Sequence, residues 1–396
     1  MSLLPLTALA ACGGSDFTDM ENQPADAGIG RIYRDSFEKN SVSIVNDGNE
    51  SIDFQLKING NCFFGDTESV VSAVRELEGF SIRDFTFNSW RWMIDQTYHH
   101  DPYTGSPWKH DPALFINSFG WGYCDDVASV MAEINTQAGI GSRVWGLEGH
   151  VVSEHWINGK WRIYDVDLKA VYLNNFAEVL GVDEISRNFS FEIFVRAINS
   201  PQAADFYRIM TSDGLLTDYV SQQGYAPWAY GRTVESIYTS LDNNAVLDER
   251  SWHLATRPIL TDKITLPAGA LIHLNSRVEL NLVSMYDTKV PRYFVMEVVV
   301  KPNTEGRVSF PLHPVEIKGG AIFLDPVDGG APIRLTADEA TAQLSTRTHT
   351  MHNFYAIAGN EYMYIKFLLN PTRFNLNNLQ TLEVLAEDLT NLKVQS

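Results

Sequence analysis

Cys124 is the residue whose type and position most clearly indicate reactive chemistry. It stands at the start of a predicted helix, directly after the segment Gly120-Trp121-Gly122-Tyr123. Glycines permit a tight backbone path into such a helix, and the unpaired N–H groups and dipole of the first turn favour a thiolate. Asp125 and Asp126 follow directly, and they either oppose the thiolate or cap the helix. The segment therefore predicts a nucleophilic thiol, with a cysteine buried in the core as the alternative.

A predicted β-hairpin downstream of Cys124 carries the candidate base and acid. Asn158 and Gly159 lie between two strand-like runs, residues 151–157 and 160–168, and Asn-Gly is the strongest short-range hairpin signal. With a two-residue turn, Trp156 faces Trp161 and the side chains alternate between the two faces of the hairpin.

This register places a histidine on the same face as two aspartates. Asp167 lies directly opposite His150 and Asp165 is its diagonal neighbour, so either carboxylate reaches the imidazole, while His155 projects from the other face. A histidine oriented by an acid is suited to activating a thiol, and the register alone does not choose between the two aspartates. The residues on the shared face are His150, Val152, Glu154, Asp165 and Asp167.

Hydrophobic periodicity predicts the elements around these residues. Helices are expected over 67–77, 88–98 and 124–138, where apolar residues recur at steps of three and four. Residues 99–122, rich in proline, glycine and aromatic residues, are expected to form a long loop. Beyond residue 231, alternating runs separated by turn residues predict an all-β sandwich or jelly roll. These runs are 277–286, 292–301 and 362–369.

The chain length predicts more than one folded unit. A chain of 396 residues exceeds what a single hydrophobic core usually contains. We expect a signal segment and flexible tether over 1–30, a catalytic domain over 31–230 and a β-sandwich domain over 231–396.

Residues 120–167 resemble the core of the transglutaminase-like superfamily, which also includes peptide N-glycanases and many bacterial proteases. The resemblance implies a papain-like α+β domain in which Cys124 is the nucleophile, His150 the general base and then acid, and Asp165 the orienting carboxylate. Val166 stands where the family usually has proline, so Asp167 remains the alternative acid. The features shared with the family are Cys124 at the head of a helix, Gly139-Ile140 near its end, His150, Glu154, the Asn158-Gly159 turn, Trp161 and Asp165.

The resemblance also implies an oxyanion donor on the helix before the nucleophile. The family commonly uses an aromatic or amide residue there, and Trp90 is the candidate, because its indole N–H would donate beside the Cys124 backbone N–H. Trp92 and Gln96 are alternatives, and a purely structural Trp90 in the core is the competing interpretation.

No metal or organic cofactor is expected from this chemistry. The histidine-rich loop has a spacing that fits no zinc pattern, and we interpret it as the solvated rim of the active site. Its residues are His99, His100, Asp101, His110 and Asp111.

Composition and the N-terminal residues predict the location. A net charge of −19 argues against binding to nucleic acid. The sequence Leu9-Ala10-Ala11-Cys12 resembles a bacterial lipobox, which implies an exported lipoprotein of the cell envelope with membrane contact only through lipid on Cys12. Cys62 reads as a small buried residue, and a disulfide between Cys62 and Cys124 would consume the nucleophile.

Together these observations predict thiol-dependent acyl transfer on amide bonds, with hydrolysis expected over cross-linking. The substrate class is a peptide, a protein side-chain amide or a glycopeptide amide. The alternative is a catalytically silent surface protein that keeps the transglutaminase-like core and binds carbohydrate or protein.

Overall fold

The described part of the protein contains both helices and β-sheets, which confirms the mixed α+β class. The predicted tether over 1–30, with Cys12, lies outside it. The computed structural model describes residues 31–34, 41–76, 85–99, 110–147, 150–173, 178–188, 194–197, 245–247, 262–275, 294–308, 311–312, 314–319, 321–324, 333–336, 354–357 and 360–395.

The helix that begins at Cys124 packs against three other helices of the described residues. The three predicted helices are present; two begin at the predicted residue, and the remaining ends are shifted by one to three residues. The helices are α1 Thr67–Glu76, α2 Phe85–Gln96, α3 Pro112–Leu114, a π-helix Phe115–Phe119, α4 Cys124–Gln137, α5 Val182–Asn188 and a 3-10 helix Leu376–Asn378.

The strands pair almost entirely in antiparallel fashion within the described residues. In chain order they are β1 Arg31–Arg34, β2 Ser41–Asn46, β3 Ile52–Ile58, β4 Asn61–Cys62, β5 Tyr98–His99, β6 Trp121–Gly122, β7 Ser142–Leu147, β8 His150–Ile157, β9 Lys160–Ile163, β10 Ala170–Leu173, β11 Phe194–Ala197, β12 Ala245–Leu247, β13 Ile264–Leu266, β14 Leu271–Asn275, β15 Phe294–Val300, β16 Glu305–Val308, β17 Pro314–Lys318, β18 Ala321–Leu324, β19 Ile333–Thr336, β20 Phe354–Ile357, β21 Met363–Leu369, β22 Thr381–Leu385 and β23 Leu392–Gln395.

The sheet beside α4 has the order β12-β7-β8-β9. Asn158 and Gly159 connect β8 to β9 with φ values of 52° and 79°, the two positive φ angles of a type I′ turn. Trp156 pairs with Trp161, so the predicted hairpin and its register are confirmed.

The second strand of this hairpin is shorter than predicted. It ends at Ile163 instead of continuing to residue 168. The Leu168 N–H donates to Asp165 Oδ1 at 2.9 Å, and the Lys169 N–H donates to the Val166 carbonyl at 3.2 Å. These local bonds make a turn, because a short polar side chain competes with strand pairing for backbone N–H groups.

Two larger sheets join the beginning of the chain to its end. The six-stranded sheet has the order β17-β21-β15-β14-β2-β23, and the other follows β1-β22-β3-β13, with β4 beside β3. The runs predicted over 292–301 and 362–369 are the strands β15 and β21, whereas the run over 277–286 lies outside the described residues.

Sheet membership does not follow the predicted boundary between residues 230 and 231. Strands β1, β2 and β3 precede it and pair with strands that follow it, and β12 follows it but pairs with β7. Antiparallel strands can pair whatever their separation in sequence, so local sequence patterns did not reveal that strands pair across this boundary. One cluster of buried side chains accordingly includes residues from α2, α4, β15 and β21.

The described helices include none with both the length and the apolar character needed to cross a bilayer.

Candidate active site

The backbone before α4 needs glycine at two positions to present Cys124. Gly120 has a φ of 65°, and a Cβ there would lie 2.3 Å from the side chain of Asn370. A Cβ on Gly122 would lie 2.5 Å from the carboxylate of Asp126. That carboxylate accepts the Tyr123 N–H at 2.9 Å and so caps the helix. Asn370 and Asp126 therefore restrict the backbone that leads into α4. Cys124 is the first residue of this helix, and its thiol is free and partly exposed.

Asp165 holds the imidazole of His150. The Nε2 atom of His150 lies 2.8 Å from Asp165 Oδ2, and both side chains are buried. The carboxylate is itself positioned, since Tyr172 donates its hydroxyl to Oδ2 at 3.3 Å and the Leu168 N–H donates to Oδ1. The hairpin register left two acids open and the family resemblance implied Asp165, and the structure places Asp165 against His150.

Cys124, His150 and Asp167 converge on one point. Their sulfur, imidazole nitrogen and carboxylate oxygen atoms all lie within 4.8 Å of one another. Because Nε2 of His150 is engaged by Asp165, its Nδ1 is the nitrogen left to face the thiol. Cys124, His150 and Asp165 thus stand in the order of a nucleophile, a base and an acid.

Burial and nearby charges act in opposite directions on this thiol. Burial raises the pKa of Cys124 above its ordinary value, and Asp167 and Asp125 add to the rise, while a hydrogen bond with His150 lowers it in part. For His150, burial lowers the pKa, but the Asp165 carboxylate and hydrogen bonds with Asp165 and Cys124 leave it well above the ordinary value. Asp165 thus favours the imidazolium, the form that stabilises a neighbouring thiolate.

Asp167 contacts a different histidine, His99. Its Oδ1 lies 2.8 Å from Nδ1 of His99, which the parallel pairing of β5 with β6 places next to Gly122. Its Oδ2 is buried and has no hydrogen-bond partner in the structure. Asp167 therefore belongs to a second histidine–carboxylate pair instead of orienting His150.

The three oxyanion candidates all have other contacts. The Trp90 indole N–H donates to the carbonyl oxygen of Asp165 at 2.7 Å. Trp92 packs edge-on against Phe64, and Gln96 Oε1 accepts a hydrogen bond from Arg373 at 3.1 Å. Among the described residues, no hydrogen bond or ring contact joins any of the three to Cys124. Trp90 instead positions the backbone of the residue that holds His150.

Residues 112–119, within the stretch where a solvated loop was expected, are helical and buried. Asp111 caps α3 by accepting the Leu114 N–H at 2.9 Å, and His110 Nε2 lies 2.7 Å from Asp126 Oδ1. An aspartate directly before a proline is a helix-start signal, so Asp111-Pro112 was the missed indication. His100 and Asp101 lie outside the described residues.

His155 is separated from the site, as the alternation of side chains predicted. Its two ring nitrogens lie 2.9 Å from the hydroxyl of Ser142 and 3.1 Å from that of Ser153. It therefore has a structural environment of its own.

The cysteines differ in state. Cys62 is buried, as expected, and it takes part in a disulfide, whereas Cys124 is free. A bridge between these two residues is thereby excluded, and the nucleophile remains available.

Asn370 and Asn117 are site-positioning residues that sequence patterns did not indicate. Asn370 donates through Nδ2 to the carbonyls of Ile116 at 2.8 Å and Gln96 at 3.1 Å. The Asn117 side chain both accepts from and donates to the backbone of Phe64. Both asparagines are fully buried, and together they fix the turn that leads to Cys124. Only the folded chain brings Asn370 to this turn.

Comparisons with known proteins add no relative. No family model, no curated protein and no solved structure matches the chain. The site is therefore interpreted from its own geometry.

Proposed function

We propose that this protein is a transglutaminase-like cysteine enzyme that transfers acyl groups from amide bonds, with water as the usual acceptor. One observation carries the proposal: the 2.8 Å hydrogen bond between His150 and Asp165, beside a free cysteine at the first residue of a helix. A thiol, a base and an acid in this order are what nucleophilic acyl transfer needs.

The catalytic cycle follows from the positions of these atoms. His150 takes the thiol proton, and the sulfur of Cys124 attacks the amide carbonyl. Backbone N–H groups at the start of α4 stabilise the oxyanion. When the C–N bond breaks, His150 returns the proton to the departing amine and a thioester remains. Water then loses a proton to His150 and attacks the thioester, which releases the acid and restores the thiol.

The finer architecture belongs to the same proposal. A papain-like catalytic core accounts for α4 packed beside the sheet of β7, β8 and β9, and a β-sandwich accounts for the larger sheets. Export to the bacterial cell envelope completes the proposal, and it rests on the lipobox-like sequence alone.

The substrates we propose are peptides, protein side-chain amides or glycopeptide amides. The net charge of −19 disfavours nucleic acid as a partner.

A second candidate is a surface binding protein without turnover. One observation favours it: burial, Asp167 and Asp125 raise the pKa of Cys124, which disfavours the reactive thiolate. Such a protein would keep the fold of the site and use the remaining surface to hold carbohydrate or protein.

Alkylation of Cys124 by iodoacetamide distinguishes the two candidates. Labelling is followed by mass spectrometry of the Cys124 peptide. We expect rapid labelling of the native protein near neutral pH. In His150→Ala the labelling rate should fall at least about 10-fold, because the base is lost. His155→Ala is the matched control and should label like the wild type, since its ring contacts Ser142 and Ser153. Slow labelling at the same rate in the wild type and in His150→Ala would contradict the enzyme and favour the binding protein.

A further inference from the structure

Three side chains of types that bind metal ions lie close together at the N-terminus of α4. Cys124, His150 and Asp167 each offer one ligand atom, and these atoms lie within 4.8 Å of one another. A thiolate, an imidazole and a carboxylate form a donor set that suits Zn²⁺.

Asp167 provides a second, independent indication of a ligand. Its side chain is 2% exposed, and its Oδ2 has no hydrogen-bond partner in the structure. A buried carboxylate oxygen without a partner is costly. A cation at this position would compensate that cost directly.

The groups behind two of the ligand atoms are also those of a metal site. His150 contacts the Asp165 carboxylate through Nε2 at 2.8 Å, and Nδ1 would be its metal ligand. Asp167 contacts His99 through Oδ1, which leaves Oδ2. Metal-binding histidines generally donate their other N–H to a carboxylate, and ligating carboxylates are themselves hydrogen-bonded.

We propose that Cys124, His150 and Asp167 bind a soft divalent cation such as Zn²⁺, and that the bound cation blocks the nucleophile. The blocking effect rests on the function proposed above, whereas the binding does not. Cys124 gives up its thiol proton to solvent on binding, and the charges of the thiolate and the Asp167 carboxylate balance the cation. Three protein ligands leave a fourth position for water.

The geometry needs only a small adjustment. Tetrahedral Zn²⁺ with ligand distances of about 2.0–2.3 Å holds its ligand atoms about 3.5 Å apart. The three side chains therefore need to approach one another by little more than about 1 Å, which side-chain rotation provides.

The test is calorimetric titration of the chelator-treated full chain with ZnCl₂, in parallel with Co²⁺ absorption, which reports thiolate coordination. We expect Asp167→Asn to raise the dissociation constant about 10-fold or more. Asp125→Asn is the matched control, because Asp125 adjoins Cys124 but groups with His110 and Asp126 instead. Unchanged binding in Asp167→Asn, or loss of binding in Asp125→Asn, would overturn the site.

A further variant keeps the test decisive if Asp167→Asn fails to fold. His99→Phe retains an aromatic ring and all three ligands but removes the contact to Asp167, and we expect about 10- to 100-fold weaker binding. Binding equal to that of the wild type would contradict the proposal.

Alkylation separates failure of the site from failure of the enzyme. We expect stoichiometric Zn²⁺ to stop iodoacetamide labelling of Cys124, and EDTA to restore it. Absent Zn²⁺ binding with fast, His150-dependent labelling would refute the site and keep the enzyme. Tight binding that protects a thiol whose labelling ignores His150 would refute the enzyme and keep the site.

Discussion

At the scale of single residues, Asp165 connects the stability of the site with its chemistry. Its carboxylate holds His150, while its own backbone carbonyl accepts the Trp90 indole N–H and its side chain accepts bonds from Tyr172 and Leu168. Because these contacts come from several elements, the orientation of the imidazole is determined by the surrounding fold.

Replacing Asp165 with asparagine should therefore disable His150 without emptying the space. The amide of asparagine donates to Nε2, which moves the ring proton to Nδ1 and leaves no base facing the thiol. We expect iodoacetamide labelling of Cys124 to slow about 10-fold or more. Asp167→Asn makes the same chemical change but keeps the His150–Asp165 bond, and it should not slow labelling. Equal slowing in both variants would contradict the assignment of Asp165.

Glu154 gives a prediction about stability and pH. It is fully buried, and burial raises its pKa, although the Val182 N–H and Arg143 lower it in part. The folded chain thus binds this proton more tightly than the unfolded chain, so the group's contribution to stability is present below its unfolded pKa and is lost as pH rises through the folded value.

Denaturant unfolding at pH 7 and pH 4 tests this sign. Glu154→Gln removes the titration, so the wild type should gain stability relative to the variant as pH falls from 7 to 4. For Glu76→Gln, a change at the exposed end of α1, the difference in free energy of unfolding from the wild type should be the same at pH 7 and pH 4. A wild type that loses stability relative to Glu154→Gln on acidification would contradict the prediction.

At the scale of elements, the turn before α4 determines where the nucleophile lies. Gly120 ends the π-helix in a left-handed conformation, and its N–H donates to the Phe115 carbonyl at 2.7 Å. The Asn370 side chain occupies the space where a Cβ would lie. Conformation and packing thus both require glycine there.

Gly120→Ala should cost more than strain alone. A left-handed non-glycine residue costs about 1–2 kcal/mol, and displacing Asn370 adds about 1–3 kcal/mol by leaving buried carbonyls without donors. Gly60→Ala is the control, because Gly60 has a φ of 78° with nothing near its Cβ position. Denaturant unfolding should show a clearly larger loss for Gly120→Ala, and equal losses would contradict the role of Asn370.

The local elements were predictable and the long-range contacts were not. The Asn158-Gly159 turn and the helix start at Cys124 depend on neighbouring residues, so sequence patterns predicted them correctly. The hairpin register alone did not choose between Asp165 and Asp167, because their positions depend on a turn at residues 165–169 that ended β9 early, and Asp165 was expected only from the family resemblance. The pairing of β1, β2 and β3 depends on residues hundreds of positions away, which local periodicity does not report.

At the scale of the whole molecule, the site depends on the far end of the chain. Asn370 follows β21 directly and binds backbone carbonyls on α2 and the π-helix. Arg373 reaches the same region, where it donates to Gln96 and to the Cys62 carbonyl. The nucleophile is therefore supported by residues from the β-rich part of the chain.

Asn370→Ala should reduce both stability and thiol reactivity. Loss of the two hydrogen bonds leaves two buried carbonyl oxygens without donors. This should lower the free energy of unfolding by about 2–4 kcal/mol. Labelling of Cys124 in the folded fraction should also slow, because the turn before α4 loses its support. Asn377→Ala, an exposed change nearby, should alter neither, and normal labelling in folded Asn370→Ala would refute the coupling.

Strand β2 lies between β14 and β23, and Ser43 pairs with Gln395. During synthesis this strand is made early, but both of its partners are made late. Its two edges stay unpaired until β14 and then β23 have been synthesised, and such edges recruit other chains. The nascent protein is therefore at risk of aggregation in the interval before β14 and β23 have been synthesised, and a chaperone that covers β2 would have to stay bound throughout that interval.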